Sequence, residues 1–284
     1  MALTKQLLIM VVKSLSNTAF DTIVDCFLKA FENYFVKMPL EKDYYRKRWT
    51  AAKVDFNLSY GMFDGNKLVG FIIHAVDNRQ GIRTAFNTGT GVIPEYRGRG
   101  IVRMMYDFAL DDLKKHGIER SQLEVITENA IAIHAYQKIG FEITRQYSCF
   151  SGIINCSSVL KPEVHEIAMN ELNWDELPNQ DGYSWDHQKE TLLGGPYHYF
   201  EVHFKGNREA YFIIDPERNY LAQLDVFKND PHVWERLFKA IQQVSETIRI
   251  INVDETQETK IQQLKAHGLK ITVKQYEMVL DEIF

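Results

Sequence analysis

The chain has 284 residues, of which 45% are hydrophobic and 25% charged, with a net charge of -5. That length suits two domains rather than one core, and the composition is that of a globular protein. The balance lacks the basic excess of a nucleic-acid-binding surface, and no stretch approaches the roughly 18 apolar residues of a membrane span, so neither partner is expected. Cys26, Cys149 and Cys156 form no C-x-x-C pair. They read as reduced, mostly buried thiols of a cytoplasmic protein, not as a disulfide framework or a zinc site.

The apolar run Leu7 to Val12 is too short for a secretory leader and reads as a first strand. Phe20, Ile23, Val24, Phe27, Leu28 and Phe31 recur at helical spacing. Pro39 opens a second, more charged helical segment. Strands at Leu58 to Phe63 and Lys67 to Ala75 flank Asp64-Gly65-Asn66, a turn signal. Another strand runs from about Thr84 to Ile93 and stops at Pro94. Ile101, Met104, Met105, Phe108 and Ala109 mark the expected buried face of a helix closed by Gly117. A short strand follows at Leu123 to Ile126, then a helix at Ala130 to Ile139 closed by Gly140, and a strand from Phe141 to Ser151.

Residues 154–162 read as a linker between a domain at 1–153 and a second at 163–284. In the second, strands are expected at Tyr197 to Phe204, Ala210 to Ile214 and Leu221 to Phe227. Pro231 sits at the first position of a helix, where its missing N–H costs nothing. Ile248 to Val253 reads as a strand, Thr256 to His267 as a helix and Leu269 to Leu280 as an alternating strand. The halves rhyme at an offset of 128: Gly140 with Gly268, Val125 with Val253, Ile133 with Ile261, Ile143 with Ile271 and Thr144 with Thr272. Order and spacing together suggest a tandem duplication. Val92 and Val226, each ending a strand before a long helix, are offset by 134 instead, so the second half lacks about six residues there.

Those residues are the ones that look chemical in the first half: Pro94-Glu95-Tyr96-Arg97-Gly98-Arg99-Gly100-Ile101-Val102. A strand runs into a glycine-rich turn that opens a helix. Glycines let backbone approach a ligand, and a helix start offers unpaired N–H groups to phosphate. Arg97 and Arg99 add positive charge. The second motif is Asn129-x-x-Ala132-x-x-x-Tyr136-x-Lys138-x-Gly140-Phe141.

The run Val92 to Val102 resembles the coenzyme-A signature of the GNAT superfamily of N-acetyltransferases, R-x-x-G-x-G/A with a preceding V-x-P. The 129–141 stretch is similar to that family's second signature. The resemblance covers roughly residues 5–152, and it departs from the pattern at Val102, where Gly or Ala is usual. It implies an α+β fold: a mixed, mostly antiparallel sheet splayed between two central strands and flanked by helices, followed here by a second, degenerate domain of the same type. It implies acetyl-coenzyme A as cosubstrate and a primary amine as acceptor. No cysteine in the motifs suits a ping-pong route, so direct attack in a ternary complex is expected; no histidine–carboxylate spacing suggests a metal, and a capping second domain favours a small substrate.

By position, Arg97, Gly98, Arg99, Gly100, Ile101 and Val102 are implied to hold the diphosphate, with Asn129 and Tyr136 also at the cofactor. The backbone N–H groups of Thr90 and Val92 are implied to face the thioester. Tyr136 matches the family's general acid, whose role is to protonate the departing thiolate. Some relatives carry a basic glutamate where this chain has Phe86. Glu124, in Leu123-Glu124-Val125, resembles the glutamate base of the ribosomal-protein N-terminal acetyltransferases, with deprotonation through water as the alternative. Glu32 and Tyr34 fall on the expected substrate lip. His74 and Asp77 read as surface groups.

In the second half Leu264 replaces Tyr136, Gln257 replaces Asn129 and the phosphate loop is gone. That predicts no coenzyme A there, and a role walling off the substrate side. Tyr183, Trp185 and His187 fall in a looped segment and read as an interdomain contact. Two other readings stay open. One is a peptide or protein N-terminal acetyltransferase, from Leu123-Glu124-Val125. The other is an inactive acyl-coenzyme-A sensor, from Val102 and Phe86. The sequence does not set the oligomeric state or name the amine.

Overall fold

A computed structural model describes residues 10–156, 161–168 and 171–281. Residues 7–9 of the expected first strand and 157–160 of the expected linker lie outside the described residues. The chain divides into two compact units, one formed by Met1–Thr144 with Glu277–Phe284, the other by Arg145–Tyr276.

In chain order the first unit holds β1 (Met10–Ser14), α1 (Phe20–Ala30), α2 (Lys42–Ala51), β2 (Tyr60–Asp64), β3 (Lys67–Arg79) and β4 (Ile82–Val92). It continues through α3 (Ile101–Lys115), β5 (Arg120–Ile126), α4 (Ala130–Ile139) and the start of β6 (Glu142–Ile153). The end of β12 (Lys270–Asp281) completes its sheet, in the order β1-β2-β3-β4-β5-β12. β1 through β4 pair antiparallel, whereas β4 and β5 run parallel.

The amphipathic pattern of α1 buries Ile23, Val24, Phe27 and Ala30, with Asp21 in its first turn and Lys29 in its last, both favourable to the helix dipole. Phe27 stacks on Phe71 of β3 at 5.5 Å and meets Tyr45 and Trp49 of α2 at 5.1 and 5.8 Å. Each such aromatic burial contributes roughly 1.5–3 kcal/mol and fixes α1 over β3 and β4. The buried face of α3 is Ile101, Met105, Tyr106, Ala109 and Leu113. Met104 and Phe108, expected in that face, are 43% and 44% exposed. The stripe runs through i, i+4 and i+5 positions, which turns these two to its flank, where Phe108 packs edge-on against Tyr60 at 5.6 Å.

The second unit contains β7 (Glu163–Ile167), α5 (Lys189–Leu192), β8 (His198–Phe204), β9 (Asn207–Asp215), β10 (Tyr220–Val226), α6 (Pro231–Val244), β11 (Thr247–Asp254) and α7 (Glu258–Ala266). Its sheet has the order β12-β6-β11-β10-β9-β8-β7, with β10 and β11 parallel. Val233, Trp234, Leu237, Phe238 and Ile241 of α6 are buried in its core.

The duplication is visible in the elements. β4–α3–β5–α4–β6 and β10–α6–β11–α7–β12 share order, one parallel strand pair each, and a left-handed glycine after the second helix (Gly140 at φ 119°, Gly268 at φ 95°). The division, however, passes through β6 and β12 rather than through residues 154–162. From Tyr147 to Ile153, β6 is in register with β11. In the first unit, Glu277 of β12 accepts from Gln122 Nε2 at 2.6 Å and Thr144 Oγ1 at 2.9 Å, and Asp281 accepts from Arg120 Nε at 2.5 Å.

Candidate active site

The parallel register of β4 and β5 covers only Thr84–Asn87 against Arg120–Leu123. Beyond Asn87 and Leu123 the two strands are no longer paired, although β4 continues to Val92 and β5 to Ile126. The ladder to β3 also shifts register there: Ile73 faces Gly89 while His74 faces Asn87, so Thr88 is the extra residue of a bulge. Ile93 N–H bonds Val69 of β3 at 3.0 Å. In an antiparallel ladder the N–H direction alternates, which turns the N–H groups of Thr90 and Val92 away from β3 and toward the gap.

A polar cluster lines this parting. Asn87 Nδ2 donates to Thr90 Oγ1 and to Tyr106 OH, each at 2.7 Å, and Asn87 Oδ1 accepts from Gly89 N–H at 2.9 Å. Tyr136, from α4, stands edge-on to Tyr106 with ring centroids 6.0 Å apart, and both pack on Phe141. Burial pushes the Tyr136 phenol up to about 12, with Thr90 and Asn87 acting in the opposite direction. It is therefore fully protonated at neutral pH, a weak acid whose proton is available only to a stronger base. Burial likewise raises Tyr106 well above its ordinary value. Tyr34 is raised by burial, and the Asn129 side chain lowers it. Tyr34 also acts electrostatically on Tyr136, which places it at this cluster.

Asn129 is the N-cap of α4, its Oδ1 accepting from Ala132 N–H at 3.2 Å, so the second motif begins with a cap. Glu124 is half-buried on β5, one residue past the last position paired with β4. Phe86, at the position where some relatives carry glutamate, is buried. Glu32 is exposed, in the segment after α1.

The glycine–arginine turn joins the end of β4 to α3. Gly98 and Gly100 adopt φ of +73° and +72°, and a Cβ at either would meet no atom within 4 Å. Space is therefore open above a left-handed backbone. Gly100 is the N-cap of α3 without a side-chain cap, so the first-turn N–H groups, those of Ile101 and half-buried Val102 among them, have no intrahelical acceptor. Arg97 donates to the carbonyl oxygens of Val92 and Ala30 at 3.1 and 2.7 Å, bracing the turn between β4 and α1. Arg99 donates to the Glu95 carbonyl at 3.0 Å and covers the Tyr96 ring. An open backbone cradle at a helix start, with two guanidinium groups beside it, fits a diphosphate.

The residues assigned from the sequence thus come together in two groups. One is the turn 97–102; the other unites Tyr34, Thr90, Asn129 and Tyr136. Asn87 and Tyr106 were not assigned a role from the sequence, though a tyrosine in a buried helix face must find a partner for its hydroxyl. His74 is not at the surface: it is fully buried, with Nδ1 donating to the Leu58 carbonyl at 2.7 Å. Asp77 is 2.6 Å from Lys53 Nζ and 3.1 Å from Arg79 Nε. Among the described residues, no group of three or more His, Cys, Asp or Glu side chains is placed to hold a metal ion, and no helix is long and apolar enough to cross a membrane.

Tyr183, Trp185 and His187, read from the sequence as an interdomain contact in a looped segment, are buried within the second unit, in and beside single-turn helices. Tyr183 OH donates to the Leu224 carbonyl at 3.0 Å, and His187 Nε2 lies 2.6 Å from Tyr220 OH. Cys26 and Cys149 are buried, Cys156 is half-buried, and all three are free thiols.

Residues 20–141 match the family model described as Acetyltransferase (GNAT) family. The [ribosomal protein bS18]-alanine N-acetyltransferase of Escherichia coli (strain K12) is 32% identical over 104 residues, covering 36% of this chain and 68% of that protein. Streptothricin acetyltransferase of Streptomyces lavendulae is 44% identical over 50 residues, 18% of this chain and 26% of that one. Among solved structures, a tandem GNAT protein from the clavulanic acid biosynthesis pathway has a TM-score of 0.67 at 13% identity, covering 96% of this chain and 98% of that chain. A GCN5-related N-acetyltransferase from Sphaerobacter thermophilus has a TM-score of 0.65 at 10% identity, covering 96% of each chain. These two share the fold over both units. With the splayed β4–β5 pair and the glycine–arginine turn, the sequence match places the chain in the GNAT acetyltransferase family.

Proposed function

We propose that the first unit transfers an acetyl group from acetyl-coenzyme A to the primary amine of a small molecule, by direct attack in a ternary complex. The observation that carries this reading is the protonated, buried Tyr136 phenol beside the point where β4 and β5 part. Acetyl-coenzyme A supplies the acetyl group as a thioester. Gly98, Gly100, Ile101 and Val102 offer backbone to its diphosphate, with Arg97 and Arg99 supplying positive charge. The Thr90 and Val92 N–H groups are the donors available to negative charge on the carbonyl oxygen. As the C–N bond forms and the C–S bond breaks, Tyr136 gives its proton to sulfur. A thiolate held in the same apolar surroundings also has a raised proton affinity, which offsets the weak acidity of the phenol. The amine's proton leaves to Glu124 or to water.

The sequence likeness to an alanine N-acetyltransferase, together with Leu123-Glu124-Val125, favours a second reading in which the amine is a peptide N-terminus. Thiol release measured with small primary amines and with peptides bearing a free alanine N-terminus separates the two. Turnover with small amines supports the first reading. Turnover confined to peptides establishes the second, and binding of acetyl-coenzyme A without turnover on either panel contradicts both.

A further inference from the structure

The two faces of β4 are covered by different helices. A Cβ at Gly89 or Gly91 would strike Phe27 or Ala30 of α1, whereas Asn87 bonds to Tyr106 of α3. The glycine–arginine turn opens α3, so a coenzyme held there lies on the α3 face and leaves the α1 face to the acceptor. The segment 31–41, between α1 and α2, belongs to that second face. Its Tyr34 reaches the Asn129 side chain and acts electrostatically on Tyr136, so it stands where the two approaches meet.

From the core outward this segment carries a chain of rings. Phe27 meets Phe31 at 4.6 Å, Phe31 meets Tyr34 at 4.8 Å, and Tyr34 meets Phe35 at 5.2 Å. Exposure rises along it: Phe27 is buried, Phe31 and Tyr34 are half-buried, and Phe35 is 55% exposed. Val36 and Leu40, in the same segment, are exposed as well. Glu32, Lys37 and Glu41 are exposed and nearly cancel, so no strong field selects a polycation there. Rings left in water beside a reaction centre gain from covering by an apolar group. A second observation marks the inner end. Thr88, the extra residue of the β4 bulge, holds its hydroxyl oxygen buried with no hydrogen-bond partner among the described residues. Such an orphan is costly, and an amine N–H satisfies it. One polar acceptor at the parting of the strands and apolar surface outside it match one amine on an apolar body.

Resting on the acetyl-transfer reading of this site, we propose that the acceptor carries a single primary amine on an aromatic or aliphatic body, which packs against Tyr34, Phe35 and Val36. Phenethylamine and ethanolamine, alike in amine and two-carbon linker, are the probes. Each is titrated calorimetrically into the full chain, with and without excess coenzyme A, so that binding is read without turnover. The expected result is phenethylamine bound about tenfold or more tightly than ethanolamine. Phe35→Ser with Val36→Ser, both exposed side chains outside the core, shrinks that ratio several-fold. Thr88→Val weakens both amines and keeps the ratio. No phenethylamine binding at about 10 mM overturns the proposal, as does equal affinity for the two amines or a ratio unmoved in the double variant. Thiol release from acetyl-coenzyme A, followed with the same amines, separates the two readings. Phenethylamine bound with the stated preference but not acetylated supports the amine site and overturns the transfer reading. Acetylation of both amines without any preference overturns the apolar site and leaves the transfer reading standing.

Discussion

A buried phenol gives up its water and must recover that cost from neighbours. Asn87 serves Tyr106 and Thr90 with one amide, in reach of Tyr136, and so ties the proposed proton donor to the strand that bears the proposed N–H donors. His74 and His187 solve the same problem by staying neutral, since burial lowers each to about 4. The unfolded chain takes up those protons near pH 6.5, well before the folded chain does. Their stabilisation is therefore present above that pH and is lost as pH falls through about 4, a change on the order of a few kcal/mol. Thermal melts between pH 7 and 4.5 are expected to fall steadily, and His74→Gln to shallow that slope. An unchanged slope in the variant contradicts this assignment. Tyr136 and Asn129 were legible because their spacing belongs to a motif. Tyr106 and His74 were not, because a lone aromatic or imidazole in a periodic segment carries no sign of which way it faces.

The most informative element is the turn between β4 and α3. Its glycines face open space, so a methyl group there fails on backbone conformation rather than on a clash. Gly100→Ala forces an L-residue into the left-handed region at a cost of about 1–2 kcal/mol. The expected result is a KM for acetyl-coenzyme A raised several-fold with kcat little changed; an unaltered KM argues against the turn as the diphosphate site. Most elements were legible from apolar period and glycine stops: α1, α3, α4, α6 and the strands β2 to β5 stand close to where the pattern puts them. The short turns between 172 and 187 were not, because single-turn helices have no period to read.

At the scale of the whole molecule, the duplicated pattern also conceals how the last strands are shared. β6 and β12 alternate alike, and nothing in a two-residue period says which sheet a strand enters. Deleting residues 145–284 removes the end of β12 from its place next to β5 in the strand order. That leaves a bare strand edge. We expect the truncated chain to be insoluble or aggregated by gel filtration; a monomeric, active fragment contradicts this. The central claim is that the intact chain breaks the thioester with a proton from Tyr136. The direct test is steady-state thiol release by Tyr136→Phe, with an amine the wild type acetylates. The account predicts kcat lower by about 10²-fold or more with the KM for acetyl-coenzyme A preserved, and a rate within about twofold of wild type contradicts it.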